Sequence, residues 1–92
     1  MRVKVELFGR AASQSGVREL TLEAPAGATL RQIAALLAER HPQLDWLAEA
    51  ARPTRNLEYV QWDDVAADGD AVSFIPPVSG GAPAQSWRER RP

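Results

Sequence analysis

The sequence has no cysteine, one histidine (His41) and one lysine (Lys4). Without cysteine there are no disulfide staples, no thiolate metal sites and no cysteine nucleophile, and one histidine leaves little for a Ser–His set. His41 stands directly before Pro42, where a helix is expected to end, and no metal or catalytic role is assigned to it. No P-loop and no GxGxxG turn is present, so nothing in the chain cradles a nucleotide. No apolar run approaches the roughly 18 residues of a membrane span, and no basic-then-apolar leader is visible. The expectation is therefore no membrane partner and a cytoplasmic location. The usual tools of an enzyme are missing.

What is present fits one small domain. The 92 residues are 45% hydrophobic and 25% charged, the balance of an ordinary globular protein. A chain of this size buries only about 60–65% of its unfolded surface, so the core must be compact. Charge is uneven along it. Residues 1–81 hold eight Arg/Lys against eleven Asp/Glu, a net of −3, whereas residues 82–92 hold three arginines against Glu89, a net of +2. An acidic body with a short basic tail argues against nucleic acid as partner, because phosphate binding requires a basic patch on the fold itself.

The pattern along the chain predicts an α+β domain. Residues 2–8 alternate Val3, Val5 and Leu7 with Arg2, Lys4 and Glu6, the period of a half-buried strand. A connection through Gly9 and residues 11–16 leads to a second strand over 17–23, the two forming a wide hairpin. Thr29 followed by Gln32 is a capping box, and Leu30, Ile33, Ala34, Leu36 and Leu37 form the stripe of a helix that ends near Arg40–His41. A second short helix is expected over 43–51, with Leu44 and Leu47 in the core. Residues 55–61 read as a third extended segment, Asp68-Gly69-Asp70 as a turn, and 71–75 as the last strand. One main helix across a small mixed sheet buries both apolar surfaces economically.

The end of the domain carries the functional signal. After the last strand come Pro76-Pro77-Val78-Ser79-Gly80-Gly81. Two prolines end the strand and stiffen the chain, and two glycines then make a thread thin enough to enter a narrow slot in a partner. The run from Asp68 to Gly81 resembles the C-terminus of the small subunit of molybdopterin synthase, within the family of ubiquitin-like sulfur carriers that includes the thiamine sulfur carrier. Leu7-Phe8-Gly9-Arg10, Gly27-Ala28-Thr29-Leu30 and Asn56-Leu57-Glu58-Tyr59-Val60 extend the resemblance over residues 1–81.

That resemblance implies a ubiquitin-like β-grasp fold and a carrier rather than a catalyst, with no catalytic side chains of its own. It implies that the carboxylate of Gly81, with Gly80 as the neighbouring thread residue, is adenylated by an ATP-dependent activating enzyme and converted to a thiocarboxylate. The sulfur would then pass, inside the large synthase subunit, to a pterin precursor, in a heterotetramer with two copies of each subunit. ATP and magnesium would belong to the activating partner, with no cofactor or metal bound by this chain. Phe8, Leu57, Phe74, Pro76 and Val78 are the expected partner interface. A chain without cysteine cannot hold sulfur on a side chain, which leaves a C-terminal acyl group as the place for it.

The sequence departs from the resemblance in two places. Pro53-Thr54-Arg55 stands where an apolar strand start is expected, so that strand begins late or lies at an edge. The chain also continues past Gly81 for eleven residues, 82–92, expected to be disordered. With them attached, Gly81 has no free carboxylate. The favoured expectation is a pro-peptide removed by a zinc-dependent processing protease. The alternatives are a ubiquitin-like protein modifier, a sulfur carrier for another recipient such as thiamine or tRNA thiolation, and an unprocessed interaction domain in which Trp87 and the arginines touch a partner.

Overall fold

The computed structural model describes residues 1–75. Three sheet strands are set by alternation: β1 (Arg2–Leu7), β2 (Glu19–Glu23) and β5 (Ala71–Ile75). Together with β3 (Arg52–Arg55) and β4 (Glu58–Tyr59) they form one sheet in the order β2-β1-β5-β3-β4. β1 and β5 are parallel neighbours, with Leu7 opposite Phe74, and every other pairing is antiparallel. The last strand in sequence is therefore the middle strand of the sheet.

The helix α2 (Leu30–Arg40) covers one face. Its stripe of Leu30, Ile33, Ala34 and Leu37 is buried against Val3, Val5, Leu7, Leu22, Val72 and Phe74, while Leu44 and Leu47 close the end of the core. Each large apolar side chain so buried contributes about 1.5–3 kcal/mol. Of these, Phe74 is the largest fully buried side chain, and Trp62 stacks on it at 5.7 Å between centroids.

A helix start leaves four amides without partners inside the helix. In α2 all four are met. Thr29 Oγ1 accepts from the Gln32 amide at 3.1 Å, while Gln32 Oε1 reaches back to accept from the Thr29 amide at 2.8 Å. The Leu30 and Arg31 amides donate to the carbonyls of Asp64 and Trp62. The capping box thus works with a loop from the far side of the sequence.

Three local expectations need correction. The connection after β1 is a helix, α1 (Gly9–Ser15), closed by Gly16 at φ 74. Its only fully buried side chain is Ala11, so no apolar stripe announced it; packing onto the core decided it. The second short helix is split into a 3-10 turn (Pro42–Leu44) and α3 (Leu47–Ala50). Finally, residues 55–61 are not one strand but the tip and second arm of a hairpin. β3 begins at Arg52 and contains Pro53 between two neighbouring strands. Pro53 accepts from the Val60 amide at 3.2 Å, so its backbone edge faces β4, and its missing donor falls just past Tyr59, where that short strand has ended.

Candidate functional site

The candidate site is the end of β5 at Ile75, the last described residue and the one that precedes Pro76 in the sequence. Ile75 lies opposite Arg52, and Phe74 lies between Leu7 and Pro53. Phe8 directly follows Leu7, the β1 partner of Phe74, and it is 47% exposed. On the other flank Arg52 stacks on Tyr59, its guanidinium carbon 4.7 Å from the ring centroid. The strand end is thus held between an exposed aromatic ring on one side and a cation–aromatic pair on the other.

Behind this end the outer face of the sheet carries one straight row. The registers place Glu19, Glu6, Ser73, Thr54 and Tyr59 side by side across all five strands. Thr54 and Ser73 are buried although they lie on the outer face, and their hydroxyls bond to each other. That pair fixes β5 to β3 next to the point where the chain departs.

The opposite end of β5 is anchored by a second polar clasp. Asn56 Oδ1 accepts from the Ala71 amide at 3.0 Å and Asn56 Nδ2 donates to Asp70 Oδ1 at 3.1 Å. Asp70 Oδ2 accepts from the Ala67 amide at 2.8 Å. These bonds favour the carboxylate, the Ala67 amide most, and lower the Asp70 pKa from its ordinary value. Asn56 and Leu57 form the two-residue tip of the β3–β4 hairpin, both at positive φ (52 and 72). Leu57 is 90% exposed.

The expected interface residues are consequently not one patch. Phe8 is at the departing end of β5, Leu57 at its other end, roughly 15 Å away along the strands. Phe74 has no exposed surface, because its position in β5 points to the α2 side, and it belongs to the core rather than to an interface. Pro76 and Val78, the thread residues Gly80 and Gly81, and residues 82–92 lie outside the described residues. Sequence reasoning missed Arg52 with Tyr59, and Thr54 with Ser73; the signal for the second pair was Ser73, a hydroxyl residue inside the otherwise apolar Ala71–Ile75. Among the described residues no group of three or more His, Asp or Glu is disposed to hold a metal ion, and no helix is long and apolar enough to cross a membrane.

The described fold ends on a central strand at Ile75, five residues before Gly80 in the sequence. The profile of the ThiS family matches residues 5–81, ending on the second glycine. The chain belongs to the ThiS family. A ThiS-family relative from Chlamydomonas reinhardtii, a molybdopterin synthase sulfur carrier subunit, is 39% identical over 83 residues, 88% of this chain and all of the relative. Among solved structures, SAMP1 from Haloferax volcanii superposes with a TM-score of 0.79 at 26% identity, over 88% of this chain and 100% of that one. The complex of subunits 1 and 2 of the molybdopterin-converting factor from Helicobacter pylori contains a chain with TM-score 0.62 and 27% identity, again over 88% and 100%. The ubiquitin-like β-grasp architecture expected of the ThiS-family chain is the one observed.

Proposed function

We propose that this ThiS-family chain is the sulfur carrier of molybdopterin synthesis, with Gly81 as the residue that carries sulfur. The observation that supports this most is the extent of the family match, which runs through the domain and stops at Gly81. The name of the Chlamydomonas relative adds the recipient pathway, and the Helicobacter complex supports a large synthase subunit as partner.

The chemistry follows from what a terminus can do. A free Gly81 carboxylate attacks the α-phosphorus of ATP on an activating enzyme, releasing pyrophosphate and forming an acyl-adenylate. A sulfur nucleophile supplied by a partner displaces AMP and leaves a thiocarboxylate. Its sulfur is softer and more nucleophilic than a carboxylate oxygen, and inside the large subunit it attacks a carbon of the pterin precursor, forming a C–S bond as a C–O bond there breaks and the oxygen substituent leaves. Water then attacks the acyl carbon, breaking its bond to sulfur and returning the Gly81 carboxylate. The β-grasp domain contributes the rigid mount, since β5 is paired with β1 through Phe74 and with β3 through Ile75.

Residues 82–92 must be removed before this cycle can begin, by the zinc-dependent protease inferred above or another endopeptidase. The test is the intact mass of the protein recovered from its native cell without a C-terminal affinity handle. Loss of about 1.3 kDa, with part of the product about 16 Da heavier, corresponds to cleavage after Gly81 and exchange of oxygen for sulfur. A single full-length species while molybdenum cofactor is being made would overturn the carrier mechanism. Gly81 found in isopeptide linkage to target lysines would replace it with protein modification.

A further inference from the structure

Beside the departing end of β5 lies an open groove of about 700 Å3 between the end of β1, the start of β2 and α1. Two local choices along it work against the fold. Phe8 occupies the N-cap of α1 and makes no side-chain capping bond, where a small polar residue would stabilise the helix by about 1 kcal/mol. Glu6 and Glu19 are direct partners across the β1–β2 ladder, and like charges in that position repel. Among the described residues the ion pairs are Arg2–Glu23 and Arg31–Asp63, so neither Glu6 nor Glu19 is neutralised by one. Arg18 is the only cation on the groove wall. Adjacent breaches of local rules mark surfaces kept for a contact, and here the missing contact is an apolar group with added positive charge.

One segment of the chain offers both. Residues 82–92 carry Trp87 with Arg88, Arg90 and Arg91, a net of +2, against the −3 of residues 1–81. Because β1 and β5 are parallel neighbours, the described end of β5 lies one strand spacing from the end of β1, about 5 Å. Residues 76–86 separate Ile75 from Trp87, a reach on the order of 35 Å when extended, ample for a return.

We propose that residues 82–92, while attached, dock onto this groove in cis, with the Trp87 indole against Phe8 and the arginines beside Glu6 and Glu19. The uncut chain then covers the surface around its own thread, and cleavage after Gly81 uncovers it. A segment tethered this closely is present at an effective concentration in the millimolar range, which favours it over a second copy or a free basic peptide. The inference builds on the reading of residues 82–92 as removable, but docking is measured without any sulfur chemistry, so the two fail separately.

The experiment compares amide spectra of the full-length chain with those of the full-length W87A/R88Q/R90Q/R91Q variant, whose substitutions lie outside the core. The expected result is a difference confined to Glu6–Gly9, Gly16 and Glu19. It should shrink by about half or more from ~0.05 to ~0.5 M salt, as screening of exposed charges requires. Wild type should also show a contact between the Trp87 and Phe8 rings. Coincident spectra at these positions, or differences centred on another face, would overturn the proposal. Differences that grow with protein concentration would overturn cis docking and assign the groove to a second copy.

Discussion

Replacing Leu57 by glycine should stabilise the domain, although it removes a leucine from a small protein. Leu57 sits at φ 72 in the second position of the two-residue hairpin tip, and Asn56 before it is at φ 52. That pair of positive values is the turn for which Asn-Gly is the favoured dipeptide. A side chain in the left-handed region costs about 1–2 kcal/mol that glycine avoids. Against this, glycine gives the unfolded chain about 0.4–1 kcal/mol of extra conformational freedom. The side chain is 90% exposed, so almost no buried area is lost. The balance is a gain of about 0.5–1 kcal/mol, a rise in thermal midpoint of about 3–6 °C for a domain of this size. Thermal and urea denaturation of the full-length chain read it directly. Leu57→Ala keeps a Cβ in the same backbone region and should gain little. A Leu57→Gly variant less stable than wild type would refute the reasoning, showing that Leu57 packs against its own fold. An alanine variant gaining as much as glycine would refute it too, by removing the backbone as the cause.

Phe74→Ala should cost about 3–5 kcal/mol, since a fully buried ring that also stacks on Trp62 leaves a cavity; denaturant midpoints check it, and a loss under 1 kcal/mol would contradict the core assignment. Asp70 has its folded pKa lowered, chiefly by the Ala67 amide, so its stabilising contribution is complete above the unfolded value of about 3.8 and is lost as pH falls through the lower folded value. Asp70→Ala should therefore flatten the stability profile in the window from that value downward. Stability measured from pH 7 to pH 2 in both proteins tests this, and an unchanged acid limb would remove Asp70 from it.

The parts of the fold written in short-range chemistry were readable from the chain. Thr29 and Gln32 specify a helix start at Leu30 by reciprocal hydrogen bonds, and β1 and β5 follow from alternation and from the Asp68-Gly69-Asp70 turn. What was not readable depends on distant packing. The stretch from Gly9 to Ser15 has no apolar stripe and turns helical because Ala11 is pressed into the core, while Gly16 in the left-handed region was its one local signal. Pro53 argued against a strand, yet the edge strand ends before Pro53 would need a donor. An Asn-Leu tip hides a hairpin that Asn-Gly would have advertised. At the candidate site, Phe8, Arg52 and Tyr59 come to the end of β5 only through strand order, while Gly80 and Gly81, read from composition, lie outside the described residues. Phe74 shows the limit plainly: which face of a strand is core depends on its partners, not on its own residues.

The position of β5 also has a mechanical consequence. Its two neighbours, β1 and β3, pair with it along nearly its whole length. A force applied at Ile75 along the axis of β5 loads both ladders in shear, so their bonds must yield together rather than one by one. Resistance of that kind is set by the unfolding rate and not by equilibrium stability. A pull along β5 therefore strains a strand held on both sides, and the domain resists being opened from the end at which its last described strand stops.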